Sequence, residues 1–434
     1  MKNLRNHLKS IVCLCLSAVL MLSLCPAMAD EVVEIDFWHH YPSGEGAAIM
    51  TEVLNEFMAA HPNIKVNELG LGLGEQGEKL VPALVAGTAP DIMVYDLATV
   101  QERAIKGQTM CLDDYIAASG MDTSVFFPAT MECVTYDGKV YGLPYMTDTR
   151  VLFYNKDHFR AAGLDPEQPP KTWDEVLEYA EKLNVTDENG EVTQVGFSTI
   201  WWEIAPWTMG WTFGAEYWDE NGNPTLNTPE MLEALNYVKK LTATVGADAF
   251  QKLFDASMTT GVSPFTSGTV SMCVQFNGFC STLATYAPDM DYGVALIPTK
   301  DGENYKSSWG AGYSLEFTHK SDARAQAAFE LGQYLTSTEV ATKFLLGNSE
   351  YVCNMEAYED PQVKNDPIWQ VFAESGKYTR MHHFCPELPT WPNSVLLPEW
   401  QAALIDTKTP EQALEDAQNN LVQEIENYRL MNGI

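Results

Sequence analysis

A block of aromatic side chains is the part of the sequence whose residue types most clearly suggest ligand chemistry. Trp201, Trp202, Trp207, Trp211 and Phe213 fall within 13 residues, in a segment without a clean helical period. Core packing would account for two or three of them, but four tryptophans after a strand favour a flat apolar surface for binding. A sugar ring presents an apolar C–H face that stacks on an indole. We therefore predict that Trp201 and Trp202 contact a ligand, with Trp207 as a further candidate.

The end of the first predicted strand carries side chains that can bind hydroxyl groups. Trp38, His39 and Tyr41 stand at the carboxyl end of the strand-forming run Val33–Trp38. An imidazole or a phenol can donate to or accept from a ligand hydroxyl. We predict that this strand end faces the ligand.

Two pairs of adjacent histidines raise the question of a metal site. The pairs are His39-His40 and His382-His383. Adjacent residues on a strand point to opposite faces, so at most one histidine of each pair could converge on an ion. The sequence also contains no CxxC pair. We predict no metal site.

A glycine-rich segment matches the pattern of a dinucleotide-binding loop. Gly72-Leu-Gly74-Glu-Gln-Gly77 reads GxGxxG, with Asp91 and Asp96 about 20 residues further on. However, the segment follows the second predicted strand and does not open a new βαβ unit. We predict a flexible, lid-like loop at the edge of the ligand site, and no cofactor.

The charge balance excludes several classes of partner. The 434 residues include 59 acidic and 26 basic side chains, for a net charge of −33. Such an acidic chain is repelled by nucleic acid and by anionic membrane surfaces. It also disfavours an anionic ligand unless a local basic pocket exists. We predict no nucleic-acid partner.

Residues 1–29 have the composition of a secretory signal. A basic start is followed by the apolar run Ile11–Leu24 and by Ala27-Met28-Ala29, which predicts cleavage before Asp30 and an exported protein. A weaker match to a lipoprotein signal would place a lipid on Cys25. The sequence leaves open whether the later cysteines pair or remain buried thiols. They are Cys111, Cys133, Cys273, Cys280, Cys353 and Cys385.

Hydrophobic patterning predicts an α/β unit at the start of the mature chain. The strands Val33–Trp38, Asn63–Leu69 and Asp91–Tyr95 alternate with helices over 44–61 and 78–86. This order predicts a parallel sheet covered by helices.

The stretch from residue 136 to residue 183 carries a distinctive series of local signals. Pro144 keeps the residue before it extended, and Arg150–Tyr154 is a continuous run of strand formers. Thr172 and Glu175 form a capping box that predicts a helix from Trp173.

These signals occur together in one known family. The segments Tyr141–Pro144, Tyr154–Asp157, Ala162–Leu164 and Thr172–Glu175 resemble the crossover segment of extracellular solute-binding proteins of the maltose-binding type. The family supplies ligands to ABC transporters, and the resemblance covers essentially the whole mature chain.

The resemblance implies an α/β, two-lobe periplasmic-binding-protein fold of type II. Each lobe is expected to be a mixed, mostly parallel sheet flanked by helices, with the ligand cleft between the lobes. The expected N-terminal lobe comprises residues 30–145 and 292–340. The expected C-terminal lobe comprises residues 146–291 and 341–434, and crossings between lobes permit hinge closure.

The resemblance also implies ligand-binding residues. Asp96 matches an acidic position that accepts ligand hydroxyls, Thr147 a hydroxyl donor and Tyr351 an aromatic. Residues at strand ends, and glycines whose backbone amides face the cleft, are also expected to contact the ligand. The further expected ligand-binding residues are Tyr145, Asn277, Gly310, Gly312, Trp391 and Asn393.

The expected function is capture of a neutral mono- or oligosaccharide by a monomer that docks on an ABC permease and its ATPase. The glycerol-phosphate branch of the family, which the chain resembles most, uses an arginine near the last crossover. The matching region, Leu388–Ser394, has no basic residue, and Arg380 is the nearest. A glycerol-3-phosphate or glycerophosphodiester ligand is the alternative. An exported glycosidase, which would need two carboxylates across one cleft, is a further alternative.

Overall fold

The computed structural model describes residues 32–200, 204–246, 248–249, 251–252, 255, 259 and 263–432. The signal segment 1–29, Cys25 and the two tryptophans predicted to stack on a ligand, Trp201 and Trp202, lie outside the described residues.

Extended segments form two principal sheets and three short strand pairs. The strands are β1 Val33–His39, β2 Ile64–Gly70, β3 Ile92–Asp96, β4 Thr135–Tyr136, β5 Lys139–Val140, β6 Gly142–Thr147, β7 Arg150–Asn155, β8 Val185–Thr186, β9 Val192–Gln194, β10 Met272–Phe276, β11 Tyr292–Ala295, β12 Ser308–Trp309, β13 Gly312–Phe317 and β14 Thr379–Arg380.

Helices cover both faces of these sheets. They are α1 Glu45–Ala60, α2 Leu73–Ala86, α3 Val100–Ile105, α4 Asp113–Ser119, α5 Pro128–Cys133, α6 Lys156–Ala161, α7 Trp173–Leu183, α8 Pro206–Phe213, α9 Pro229–Ala243, α10 Phe279–Tyr286, α11 Asp322–Leu335, α12 Thr338–Asn348, α13 Pro361–Lys364, α14 Pro367–Gly376, α15 Leu397–Leu404 and α16 Pro410–Asn432. The Thr172–Glu175 capping box opens α7 as the sequence predicts.

The first lobe is built on the sheet β2-β1-β3-β13-β6. β1 pairs in parallel with β2 and β3, as the alternation of strands and helices predicts. β13, which arrives from much later in the chain, runs antiparallel to both β3 and β6. The sheet is therefore mixed, and long-range pairing through β13 ties the two chain segments of this lobe together.

The second lobe departs from the expected mostly parallel arrangement. Its sheet has the order β10-β7-β11, and both outer strands run antiparallel to the central β7. Strand β7 runs away from the first lobe. Strands β10 and β11, which flank it, both run back toward the first lobe. Helices α7, α8, α9, α15 and α16 supply a separate apolar core beside this sheet.

The chain passes between the lobes later than expected in two of three places. β6 and β7 belong to different sheets, so the chain passes from one sheet to the other at Asp148-Thr149. β11, from Tyr292, pairs with β7 of the second sheet, so the expected boundary at residue 292 is displaced to the entry of β13 at Gly312. Helix α12 packs on α1 of the first lobe, and α14 packs on β7, so the third passage follows α12 and not residue 341.

Four side-chain hydroxyl groups form a hydrogen-bond network where the chain segments that connect the two lobes lie side by side. The Thr149 hydroxyl lies 3.0 Å from the Ser308 hydroxyl, 2.9 Å from that of Ser375 and 2.6 Å from that of Thr379. All four side chains are buried. This shared network fixes the relative positions of β7, β12 and β14 next to the segment Asp148-Thr149 that joins the two sheets.

The glycine-rich segment is not the loop that the sequence suggests. Helix α2 begins at Leu73, so that Gly74 and Gly77 lie in its first turns. The Gln76 amide, buried in this turn, donates to the main-chain oxygen of Val94. None of the six later cysteines forms a disulfide within the described residues.

Gly312 should not tolerate a side chain, because β13 approaches β6 closely there. A Cβ atom would lie 2.2 Å from the Met146 oxygen and 2.7 Å from the Thr147 Cα. We expect Gly312→Ala to lower the free energy of unfolding by about 1–3 kcal/mol, measured by urea denaturation. Gly74→Ala is the control, since nothing lies within 4 Å of its Cβ position and alanine favours a helix. Equal stability of the two variants would show that the close contact of Gly312 with β6 does not limit the size of the side chain at this position.

Candidate functional site

A cleft of about 580 Å³ lies between the two lobes. Residues of α3 and α5 and the turn before α3 form the wall contributed by the first lobe. The second lobe contributes the end of α8, the segment 216–219 and the segment that runs through β14. The lining residues of the two walls are Ala98, Gln101, Pro128, Ala129, Glu132 and Cys133 on one side and Trp211, Glu216, Tyr217, Trp218, Asp219, Gly376, Lys377, Thr379, Arg380, Met381, His382, His383 and Phe384 on the other.

The second-lobe wall is aromatic. Trp211 and Tyr217 pack edge to face with ring centroids 5.6 Å apart, and Trp218 lies 4.6 Å from the His383 ring. Trp391 packs behind Trp218 at 5.9 Å. The indole N–H of Trp218 is buried and has no hydrogen-bond partner within the described residues. Of these tryptophan and tyrosine rings, that of Trp218 is the one that is partly exposed to the cleft, and the buried rings of Trp211, Tyr217 and Trp391 support it.

The local order of this wall follows from its sequence. Pro206 opens α8 at its first turn, and Gly214 ends the helix in the left-handed conformation with φ of 95°. The Tyr217 hydroxyl then donates to the main-chain oxygen of Trp207 at 2.7 Å. This bond returns the chain against α8 and places Trp218 at the surface of the cleft.

The formal charges in the cleft largely cancel. Arg380 donates to both carboxylate oxygens of Glu216, one at 3.0 Å, and its guanidinium lies 4.9 Å above the Trp211 ring. The Lys377 ammonium donates to Glu374 at 2.8 Å. Both cations on the lining are thus already paired, while Glu132 and Asp219 add negative charge. This balance disfavours an anionic ligand.

Asp96 ends β3 next to the cleft. Its carboxylate accepts from the Ala98 N–H at 2.9 Å and so caps the turn Leu97–Thr99. The side chain is exposed, and desolvation by the surrounding walls still raises the pKa of its carboxyl group. One carboxylate oxygen remains available to a ligand hydroxyl beside Ala98 on the cleft wall.

A buried ion pair holds this turn in place. Arg103 donates from Nε to Glu316 at 2.6 Å and from Nη2 to the other carboxylate oxygen. Its Nη1 also donates to the Thr99 hydroxyl at 2.7 Å. Glu316 is fully buried on β13. The ion pair therefore positions the turn Leu97–Thr99, although neither Arg103 nor Glu316 lines the cleft.

The predicted residues at the end of β1 form a polar cluster beside the cleft. The Tyr41 hydroxyl lies 3.3 Å from Glu350, and burial raises the pKa of that carboxyl group. The Tyr145 hydroxyl is buried without a partner in the described structure. His39 is buried 3.4 Å from Glu68. None of these side chains lines the cleft cavity in this structure.

Several other predicted residues are used by the fold. Tyr351 is fully buried, donates its hydroxyl to Phe372 and stacks on Phe127. Trp38 packs against the satellite core of Leu80, Ala89 and Met93. The structure thus gives Tyr351 and Trp38 packing roles, and neither residue lines the cleft cavity.

The two remaining predicted tryptophans lie one layer behind the cleft. Trp207 and Trp391 have exposures of 0% and 1%. Trp207 packs against His382 at 4.6 Å, and Trp391 donates its indole N–H to the His383 oxygen at 3.2 Å. They support the aromatic wall without forming its surface.

The remaining predicted residues are polar residues and glycines. Some of them lie where β6 and β13 meet, and the others lie elsewhere, in the second lobe. The Thr147 hydroxyl donates to Ala311 at 2.8 Å, and Gly310 and Gly312 allow close strand contact. Asn277 is buried, and its side-chain oxygen has no hydrogen-bond partner among the residues that the structure describes. Asn393 is exposed on the π-helical turn Pro392–Leu396. None of them lines the cleft cavity.

Sequence reasoning missed the residues that form the cleft surface. Trp211 was grouped with the aromatic block, but Tyr217 and Trp218 lie just beyond that block and were not considered. His382 and His383 follow Arg380 closely in the sequence and line the cleft together with it. Extending the aromatic window past Gly214 would have found the wall.

Burial strongly affects two histidines near these surfaces. It lowers the pKa of His382 and of His40 to about 3 in each case, with nearby positive charge as the smaller cause. Both imidazoles are therefore neutral at physiological pH. In the described part of the chain, no three His, Cys, Asp or Glu side chains are arranged to hold a metal ion.

The fold and cleft agree with comparisons against known proteins. The sequence profile described as "Bacterial extracellular solute-binding protein" matches residues 41–342. The sn-glycerol-3-phosphate-binding periplasmic protein UgpB of Yersinia enterocolitica is 26% identical, with 92% of this chain and 96% of that protein covered. The maltotriose-binding protein of Pyrococcus abyssi is 25% identical, with coverage of 82% and 74%.

A solved structure described as CpMnBP1 with mannotriose bound is 28% identical to this chain. It superposes with a TM-score of 0.72, with 91% of this chain and 100% of that chain covered. No helix in the described ranges is both long and apolar enough to cross a membrane. The profile match extends over most of the chain and agrees with the two-lobe architecture. The chain therefore belongs to the bacterial extracellular solute-binding protein family, the ligand-binding components of ABC importers.

Proposed function

We propose that this protein binds a neutral mono- or oligosaccharide in the inter-lobe cleft and delivers it to an ABC permease. The single observation that carries the proposal is the half-buried indole of Trp218 on the cleft wall, on which a sugar ring can stack. The buried Trp211 and Tyr217 lie beside it on the same wall and support it. Glu132 and Asp219 on the lining, and Asp96 beside it, offer carboxylates to accept hydroxyl groups.

Hinge closure completes the proposed cycle. The lobes are joined through short passages that meet at the Thr149 hydroxyl network, and the cleft has walls from both lobes. A ligand that contacts both walls shifts the population toward the closed arrangement. The protein acts as an exported monomer, without catalysis, and residues 1–29 are its cleaved signal. The alternative is cleavage before Cys25 with a lipid on that residue, which mass spectrometry of the mature protein distinguishes.

A glycerol-3-phosphate or glycerophosphodiester ligand is the second candidate. Arg380 faces the cleft, and relatives such as UgpB are named for glycerol-3-phosphate. A phosphate would have to replace Glu216 as the partner of Arg380, with Glu132 and Asp219 nearby. Breaking the Arg380–Glu216 pair would leave the Glu216 carboxylate without its counter-ion, and this cost favours a neutral ligand.

A ligand panel tests the two candidates directly. Tryptophan fluorescence and thermal shift of the mature protein are measured with mono-, di- and trisaccharides, glycerol-3-phosphate and glycerophosphocholine, followed by analysis of the recovered ligand. A saturable response to an intact sugar supports the proposal, and small-angle scattering should then show a smaller radius of gyration. A response to the phosphates alone that is lost in Arg380→Gln would establish the second candidate, because Arg380 lies on the lining of the inter-lobe cleft. Conversion of the sugar into product would instead indicate an enzyme.

We expect Trp218→Ala to weaken sugar binding at least about tenfold, equivalent to about 1.4 kcal/mol. Trp218 is half-buried on the cleft wall, so its removal takes away a stacking surface while Trp391 stays in place. Isothermal titration calorimetry gives the dissociation constant. Trp369→Ala is the matched control, because Trp369 is similarly half-buried but packs on Phe372, away from the cleft. Unchanged affinity in Trp218→Ala would remove the aromatic wall from the binding site.

A further inference from the structure

A second cavity, of about 460 Å³, lies at the other end of the first-lobe sheet. It is lined by the segments that lead into β3 and follow β13, together with the chain after α3. The inter-lobe cleft adjoins the opposite end of β3, beside Asp96. The length of this strand therefore separates the two cavities. The lining residues of the second cavity are Leu84, Gly87, Ala89, Lys106, Gly107, Gln108, Thr109, Met110, Thr318, His319 and Lys320.

The charge of this cavity is opposite to that of the protein as a whole. Its lining includes Lys106, Lys320 and His319 but, among the described residues, no aspartate or glutamate. The inter-lobe cleft and the three further cavities of 310–450 Å³ each have at least two carboxylates on their lining. In a chain of net charge −33, this lining is a local concentration of positive groups. Each of them has a carboxylate neighbour outside the lining: Glu102 for Lys106, Asp36 and Asp91 for Lys320, and Asp322 for His319.

Thr109 supplies a buried donor inside this cavity. The residue is 7% exposed, and its hydroxyl has no hydrogen-bond partner in the described structure. The neighbouring Thr318 hydroxyl is already used, since it donates to Pro90 at 2.6 Å. A buried hydroxyl without a partner costs about 1–3 kcal/mol. A ligand oxygen placed in the cavity would remove that cost.

The existing partners of the lysines leave donors available. Lys106 donates to Glu102 on the exposed surface of α3. Lys320 lies 3.6 Å from both Asp36 and Asp91, but Arg324 donates to the same two carboxylates at closer range. An ammonium group has three donors, so each lysine can keep its carboxylate and turn a second N–H toward the cavity.

We propose that this cavity binds a phosphate-type oxyanion, held by the Thr109 hydroxyl and the ammonium groups of Lys106 and Lys320. The anion is either inorganic phosphate or the phosphoryl group of a small molecule. Binding here is independent of the sugar proposed for the inter-lobe cleft, because no residue is common to the two linings.

The test measures binding of inorganic phosphate and, separately, of glycerol-3-phosphate by calorimetry and thermal shift at constant ionic strength. Phosphate also stabilises proteins nonspecifically through exclusion from their surfaces, but that effect does not saturate. We expect a saturable response in the wild type that is absent with chloride. Tighter binding of glycerol-3-phosphate than of phosphate would identify an organic phosphate as the source, and equal affinity would identify the free ion.

Three variants locate the response. Thr109→Val should weaken phosphate binding at least tenfold while leaving the phosphate-free melting temperature equal or higher, because it removes an unpartnered buried hydroxyl. Lys106→Gln, at an exposed position, should also weaken binding at least fivefold without affecting folding. Lys79→Gln, an exposed lysine paired with Glu75 on α2, should leave binding unchanged. A wild-type response no different from chloride, or wild-type affinity in both Thr109→Val and Lys106→Gln, would overturn the proposal.

Discussion

Replacing Glu316 with glutamine is expected to lower the free energy of unfolding by about 3–5 kcal/mol. The carboxylate is fully buried and neutralises Arg103, which is itself only 6% exposed. Glutamine keeps the volume but removes the negative charge, so that a buried guanidinium loses its counter-ion. Urea denaturation of the mature protein at neutral pH measures the change.

Two further variants show whether the loss comes from the unpaired charge. Glu178→Gln breaks an exposed ion pair with Lys182 on α7 and should cost less than about 1 kcal/mol. A double variant with methionine at both Arg103 and Glu316 removes both charges, and we expect it to recover most of the lost stability. If the double variant were as unstable as Glu316→Gln, the cause would be packing at β13 and not the charge.

Acidification is expected to destabilise the protein steeply through His40 and His382. Each has a pKa of about 3 in the folded protein because burial penalises its charged form, whereas an unfolded histidine titrates near 6.5. Below about pH 6.5 the unfolded chain therefore binds protons that the folded protein does not. Stability is present above that pH and is lost as the pH falls toward 3. The two residues together account for about 5 kcal/mol between pH 6 and pH 4.

The histidine contribution can be separated from that of the many carboxyl groups. In His382→Gln, the slope of the unfolding free energy against pH between 6 and 4 should be smaller by about 1.4 kcal/mol per pH unit. His61→Gln replaces an exposed histidine on the first lobe and serves as the control. Identical slopes for His382→Gln and the wild type would show that His382 accepts a proton in the folded state.

Short-range signals were sufficient for most individual elements. The capping box at Thr172 and Glu175 is formed as predicted, and Asn155 caps α6 through its side chain. The predicted strand Val33–Trp38 appears with one residue added, because alternation of buried and exposed positions is a property of neighbouring residues. Such features depend on backbone groups only a few residues apart.

Sheet direction and lobe boundaries were not available from the same signals. β11 was expected to return the chain to the first lobe, but it pairs with β7 of the second. Strand propensity is the same whichever partner a strand has, and the choice is made by which apolar faces can be covered together. The GxGxxG segment also depends on tertiary contacts. Helix α2 packs on β3, and it includes Gly74 and Gly77, which the sequence predicts to lie in a loop.

The sequence by itself determined the acidic charge, the family resemblance, the helix caps and a second lobe rich in aromatic residues. Only the tertiary structure decided which aromatic residue faces the cleft, leaving Trp218 partly exposed on the wall and burying Trp207, Trp211 and Trp391. It also paired Arg380 with Glu216, 164 residues away, which removes a free cation that the sequence left available. The physical reason is that exposure and charge pairing depend on segments distant in the chain, and these meet only when both lobes have folded.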